Sequence, residues 1–206
     1  MYDESFWNKR YASRDFLYGT EPNSLLAEHY SLLSSPVLSL SEGEGRNAVF
    51  LASRGLEVIG VDISGVALEK ANGLAESCGV EIKTVVADLA TFVPEENHYG
   101  SVISISAHLP SRIRSRLYPL IERSLKRDGV VVLEAFSENQ LSRSTGGPKD
   151  ADMLMTFEKL QQEFPNLEPV LLREVEREVS EGAGHTGLAS VVQFIGRKKA
   201  WLVVEP

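Results

Sequence analysis

A chain of 206 residues is long enough for one domain with a sizeable core. Its 43% hydrophobic and 24% charged residues are ordinary for a globular protein, and a formal net charge of -8 argues against non-specific binding to nucleic acid or to an anionic membrane surface. The single Cys78 excludes an internal disulfide and a cysteine metal cluster, and four dispersed histidines without ligand spacing give no metal site.

No apolar run approaches the roughly 20 residues that span a bilayer. The opening MYDESFWNKR mixes acids and bases and lacks the hydrophobic centre of a signal peptide, so the expected compartment is the cytoplasm. Residues 3–12 favour a short helix that puts Trp7, Arg10 and Tyr11 on one face by their i, i+3, i+4 spacing. The loop DFLYGTEPN follows, and Asn23 or Ser24 is placed to cap a helix through about Leu33. This preamble, residues 1–35, reads either as a helix docked on the sheet edge by Trp7 or as a lid over a site. Residues 36–206 read as the main domain.

From Pro36 the pattern alternates. Strands are expected at Val37–Leu40, Leu56–Val61, Val80–Val86, Ser101–Ser106 and Val130–Phe136, and helices at Arg46–Arg54, Val66–Ser77 and Ser111–Arg127. Strand–helix alternation with continuous apolar strands implies a parallel sheet covered on both faces. The long polar loop SENQLSRSTGGPKD is of the kind that is usually functional or mobile. A helix at Met153–Phe164 precedes strands Pro169–Val179 and Leu188–Arg197, and the short SEGAGHTG between them forces an antiparallel hairpin. The run Arg112 to Arg116 is expected to be a solvated helix face.

The stretch PVLSLSEGEGRNAVFLA carries the chemistry. Gly43 to Ala48 fits the loose dinucleotide turn G-x-G-x-x-G/A, and Asp62 ends the next strand, where an acid bonds ribose hydroxyls. Glu42 and Glu44 weigh against a pyrophosphate, because an anion pair at ~4 Å and an effective dielectric of about 20 costs about 4 kcal/mol. S-adenosylmethionine fits instead, having a nucleoside, a sulfonium and an ammonium but no phosphate. Asp88 after the third strand can accept from an adenine amino group while the Leu89 N–H donates to the ring.

With FWNKRY, LYGTEPN, GEGRNAVFLASRG, VIGVDIS, ADL, ISAHLP and HTGLASVVQFIGRKK in view, the chain resembles the class I S-adenosylmethionine-dependent methyltransferases over about residues 36–198. It is most similar to the tellurite-resistance group and its thiopurine-methyltransferase-like relatives. The resemblance implies a Rossmann-like, doubly wound α/β fold with a seven-stranded sheet in the order 3-2-1-4-5-7-6, strand seven antiparallel. It implies Gly43 and Gly45 under the methionine part, Asp62 on the ribose, Asp88 and Leu89 on adenine, and Ser106 and Ala107 near the sulfonium. The full candidate cofactor set adds Trp7, Tyr18, Glu42, Glu44 and Ile63. The family motif D-L-G-C-G-x-G is altered: Ser39 stands where the acid is usual and Ser41 where the first glycine is. Glu42 or Glu44 then either holds the methionine ammonium or points to solvent.

Methyl transfer is an in-line displacement that asks for alignment and desolvation, and for a base only if the acceptor must lose a proton. Beyond the strand ends lie His108, as base or orienter, and Glu134 or Phe136. His185, read as part of the hairpin turn, and Tyr11 or Arg10 in the preamble could close the site, with Arg10 either meeting an anionic acceptor or pairing with Asp3 or Glu4. The expected partner is a small-molecule acceptor, with no nucleic acid and no membrane, for a monomer or homodimer. The alternatives are a nicotinamide-dependent oxidoreductase and a non-catalytic cofactor binder.

Overall fold

The computed structural model describes residues 3–182 and 185–199. The alternating stretch folds as β1 (Val37–Leu40), α3 (Arg46–Ser53), β2 (Val58–Asp62), α4 (Gly65–Ser77), β3 (Lys83–Val86), β4 (Tyr99–Ile105), α5 (Ser111–Ser124) and β5 (Leu125–Phe136). Before it stand α1 (Glu4–Arg10) and α2 (Ser24–His29); after it come α6 (Phe157–Glu163), β6 (Leu167–Glu181) and β7 (His185–Lys198). The seven strands form one sheet in the order β3-β2-β1-β4-β5-β7-β6, as the resemblance implies. Strands β1 to β5 are parallel, and β7 runs antiparallel to both β5 and β6.

Side-chain alternation along the strands splits the core in two. Leu38, Leu40, Val131 and Leu133 face a cluster completed by Leu117, Tyr118 and Ile121 of α5 and Leu160 and Phe164 at α6. Val37, Ile103, Val130 and Val132 face the other, with Ala48 and Leu51 of α3 and Leu25 and Leu26 of α2. The preamble is therefore built into the core through α2. Asn23 caps that helix, its side-chain oxygen accepting from the backbone N–H of Leu25 and Leu26. Among the described residues no helix is long and apolar enough to cross a membrane.

Most elements start or end one to five residues from expectation, β2 at Val58 rather than Leu56 and β3 at Lys83 rather than Val80 among them, and three boundaries have a clear cause. Residues 125–127 are strand, not helix, because buried Leu125 pairs beside Tyr99 before the chain turns through Asp128 at φ +61. Helix α6 starts at Phe157, not Met153, because the Thr156 hydroxyl caps it by accepting from Lys159 N. His185, expected in the hairpin turn, lies inside β7 and pairs with Glu181; residues 183 and 184 fall outside the described residues.

The basic run on α5 is not a solvated face. Arg114 is 1% exposed. Its Nε donates to both carboxylate oxygens of Glu163 at 2.9 and 3.0 Å, and its Nη1 donates to the carbonyls of Leu109 and Asp152. Arg116 donates to the carbonyls of Phe92 and Thr91. Arg114 shares the inward face with Ile113 and Leu117, and burial there is possible because its donors meet a carboxylate and two carbonyls.

Gly45 shows why the glycine turn needs its second glycine. It has φ +95, and a Cβ there would lie 2.7 Å from Ala71 Cα on α4. Gly55, at φ +83, faces open space. Gly45→Ala is expected to cost about 2–4 kcal/mol, from backbone strain plus overpacking, and Gly55→Ala only about 1 kcal/mol, from strain alone. Thermal melts of the two variants check this; equal losses would remove the packing explanation.

Candidate active site

A cavity of about 430 Å³ opens at the carboxyl ends of the parallel strands, where open α/β sheets bind ligands. Its wall takes Trp7, Arg10, Tyr11 and Tyr18 from the preamble, Glu42, Gly43 and Glu44 from the glycine turn, and Asp62 and Ile63 after β2. Asp88 and Leu89 follow β3, Ser106, Ala107 and His108 follow β4, and His185 comes from β7. Of the expected cofactor residues Gly45 is missing from this wall, packing on Ala71 instead, and of the expected acceptor residues Glu134 and Phe136 are missing. Phe6, Arg46, Asn47, Met153 and the segment Gly146–Pro148 also line it and were not expected. The long polar loop was the available signal for Gly146–Pro148. Nothing in the local pattern marked Phe6 or Met153.

The turn after β1 is wound through left-handed conformations at Ser41 (φ +50) and Gly43 (φ +64). Gly43 N donates to Asp62 Oδ2 at 2.9 Å, and Ser64 N donates to Oδ1 at 2.8 Å. Each Asp62 oxygen is thus fixed by one amide and keeps lone-pair capacity toward the cavity. Burial raises the Asp62 pKa, opposed by those amides. Tyr11 lies directly on the turn: a Cβ on Gly43 would sit 3.2 Å from its hydroxyl. Burial, then Asp62, Tyr18 and Glu44, push the Tyr11 pKa up, so the phenol keeps its proton.

Neither glutamate of the turn points to solvent; Glu42 is 6% and Glu44 5% exposed. Glu42 folds back, accepting from Ala48 N at 2.9 Å and from the Ser39 hydroxyl. A carboxylate therefore sits beside position 39 although residue 39 is a serine. Gly60 leaves it room, since a Cβ there would come within 3.0 Å of Glu42 Cγ. Glu44 pairs with the Lys70 ammonium and accepts from Leu17 N at 2.8 Å. Lys70 cancels the repulsion that Glu44 alone would exert on a phosphate, so that part of the electrostatic argument rests on Glu42 and Asp62. Lys70 also donates to the carbonyls of Ser13 and Asp15, strapping the preamble loop to α4.

Aromatic rings run continuously across the site. Trp7 stacks on Tyr11 at 5.6 Å, Tyr11 meets Tyr18 at 6.3 Å, Tyr18 meets His185 at 4.7 Å, and His185 stands edge-on to Phe136 at 5.2 Å. His108 stacks on the same Phe136, 5.0 Å away and within 8° of parallel. Burial, then the neighbouring His185, push the His108 pKa down to about 3. It is neutral at ordinary pH, which makes it a poor base and leaves it the role of orienter. Arg10 pairs with neither Asp3 nor Glu4: its Nε donates to the Tyr18 hydroxyl at 3.4 Å, while Asp3 caps α1.

Glu134 is not an acceptor-site residue. It is buried below the cavity, accepting from Asn23 (2.7 Å), Arg177 (2.6 Å) and Gln193 (2.6 Å). Glu181 joins the same network through Asn23, Arg177 and Arg46. Phe136 likewise stands behind His108 rather than in the wall, and the loop lies against it, since a Cβ on Gly147 would come within 2.5 Å of its ring.

With this geometry established, comparison with known proteins gives consistent results. A family model described as a methyltransferase domain matches residues 37–129. No curated protein matches the chain. Among solved structures, the chain is similar to a protein studied for the conversion of a disulfide bond into a thioacetal group during echinomycin biosynthesis, with TM-score 0.77, 16% identity, and 98% of this chain and 94% of that one covered. It is similar to TehB from Haemophilus influenzae, with TM-score 0.70, 18% identity and coverage of 95% and 67%. It is also similar to an S-adenosylmethionine-dependent methyltransferase from Anabaena variabilis, with TM-score 0.68, 18% identity and coverage of 95% and 93%. At these identities the likeness is one of fold.

Burial raises the Glu42 pKa from 4.5 to about 7, against the pull of Ser39 and Ala48. The folded protein then holds a proton that the unfolded chain releases above pH 4.5. The associated stability is complete below the unfolded pKa and is lost as pH rises through about 7, a total of roughly 3 kcal/mol. Urea unfolding at pH 5 and pH 8 is expected to show that fall in the native sequence and a flatter response in Glu42→Gln; parallel pH responses would contradict it.

Proposed function

We propose that this chain, by domain and by fold an S-adenosylmethionine-dependent methyltransferase, transfers a methyl group to a small molecule bound in the cavity behind the glycine turn. The observation that carries this is the convergence on one cavity of the glycine turn, the acid after β2, the Asp88–Leu89 pair after β3 and the aromatic preamble. A cavity of about 430 Å³ is in the range of small-ligand sites. The matched methyltransferase domain removes the nicotinamide alternative.

The residues present fit the cofactor. Asp62, held by two amides with lone pairs to spare, is suited to the ribose hydroxyls. Asp88 and Leu89 are suited to adenine. Gly43, with no room for a side chain under Tyr11, lets backbone approach the methionine part. Ser106 and Ala107 line the wall after β4. When bound, S-adenosylmethionine supplies an electrophilic methyl group on a sulfonium. The rings of Trp7, Tyr11 and Tyr18 offer faces that attract a cation and exclude water. The described preamble ahead of α2, residues 3–23, acts as a lid that is anchored at two points, while α2 belongs to the core. The Ser64 hydroxyl donates to Asn8 at 2.7 Å at one end, and Lys70 straps the loop at the other.

A tellurite-like oxyanion is a finer form of this reading. Its support is Arg10 in the wall and the structural likeness to TehB. Calorimetry with S-adenosylhomocysteine tests the core of the proposal. We expect saturable binding and a raised melting temperature, and in Asp62→Ala at least about a tenfold loss of affinity, the scale of one or two hydrogen bonds to a charged group. Absence of any melting shift at millimolar ligand would end the proposal. Binding without transfer of labelled methyl to a broad acceptor panel would support the non-catalytic alternative instead.

A further inference from the structure

We infer that His185, seated on Glu181, is the general base of this site, and that the methyl acceptor is a neutral molecule presenting an O–H or S–H group on an apolar body. This rests on the methyltransferase reading above and narrows its acceptor to a chemical class.

His185 and Glu181 face each other across the β6–β7 pair, with His185 Nδ1 3.6 Å from Glu181 Oε2 and both side chains about 10% exposed or less. Burial opposes ionisation of Glu181, but His185, Arg46 and Arg177 together override it and hold its pKa well below the carboxylate range. Glu181 is therefore a fixed negative charge behind the imidazole. It favours a proton on Nδ1 and so orients the ring, which lines the cavity. The groups packed around this ring are Tyr18 from the preamble, Phe136 and His108 from the strand ends, and Arg46 through Glu181.

Two observations fix the acceptor's character. His108 lines the same cavity, and its buried ring nitrogens make no close protein hydrogen bond beyond a weak backbone interaction with Met153. A buried polar group left in this way is open to a water or to a ligand's own polar atom. The charge of the wall is the second. Glu42, Glu44, Asp62 and Asp88 line the cavity against Arg10 and Arg46; Glu44 is paired with Lys70 and Arg46 with Glu181, which leaves Glu42, Asp62 and Asp88 against Arg10. An oxyanion entering there meets more carboxylates than free cations, whereas a neutral O–H or S–H meets two imidazoles and aromatic walls. In the transfer, the acceptor's proton passes to His185 Nε2 as the acceptor oxygen or sulfur forms its bond to the methyl carbon. The bond between that carbon and the sulfonium sulfur breaks, and its electron pair stays on sulfur, giving a neutral thioether.

The test uses para-substituted phenols and thiophenols spanning a range of acidity, together with tellurite and selenite, on the full chain and its variants. Because Glu181→Gln also removes a carboxylate from between Arg46 and Arg177, His185→Gln, which leaves both arginine pairs of Glu181 in place, carries the test. His185→Gln is expected to lower kcat by at least about a hundredfold for acceptors that are protonated at the assay pH and by less than about threefold for those already ionised, with S-adenosylhomocysteine affinity unchanged. Glu181→Gln should show the same trend, and ¹⁵N NMR of the unliganded protein should place the His185 ring proton on Nδ1. A loss independent of acceptor ionisation, turnover of tellurite with none of the neutral panel, or a ring proton on Nε2 would each overturn the inference. If S-adenosylhomocysteine binding persists in those cases, the methyltransferase reading survives; if the native chain binds none, it is that reading which fails.

Discussion

Two carboxylates and two guanidiniums buried under the cavity hold its parts in register. Glu134 comes from β5, Arg177 and Glu181 from β6, and Arg46 from the start of α3; Asn23, the cap of α2, bonds both glutamates. Burying ions is costly unless every charge is opposed and bonded, and here the charges cancel. The gain is placement rather than stability. The network joins the last hairpin, the glycine-turn helix and the preamble, three elements that also share one hydrophobic cluster through Ile195, Leu51 and Leu26. Gln193 and Arg173 extend it along the hairpin.

Much of the fold could be read from periodicity. The strands of a doubly covered sheet are apolar runs, and the crossover helices carry a repeating apolar face, so order and direction followed. The errors arose where long-range pairing overrides local preference. Leu125 becomes strand because Tyr99 is beside it, and Arg114 turns inward because Glu163 and two carbonyls await it. Neither partner is visible from the residue's own neighbours in sequence.

The site was legible to a similar depth. Loop positions after successive strands gather at one sheet edge whatever the side chains do, so Asp62, Asp88 and His108 had to be near one another. What could not be read was the use of each charge. Glu44 looks, in sequence, like a second anion facing the ligand; in the fold it belongs to Lys70, a turn-and-a-half into α4. Glu42 looks like an extra acid beside a missing one, and in the fold it reaches Ser39 and fills the position that the motif seemed to have lost. The altered motif is thus a rearrangement of the same carboxylate, which only Gly60's bare backbone makes possible.

Gly182, at the tip of β6, approaches Leu17 so closely that a Cβ would lie 2.4 Å from the Leu17 carbonyl oxygen. Residues from the two ends of the described chain thus meet to complete one wall. During synthesis the preamble loop can already strap to α4 and the glycine turn through Lys70 and Glu44, but its contact with Gly182 waits for the hairpin. Such late, non-local contacts form slowly and after the local ones. The complete cavity is therefore the last part of the molecule to exist. A nascent chain interrupted before the hairpin would hold its nucleoside-binding acids and the preamble rings, but would lack the wall that His185 and Gly182 complete.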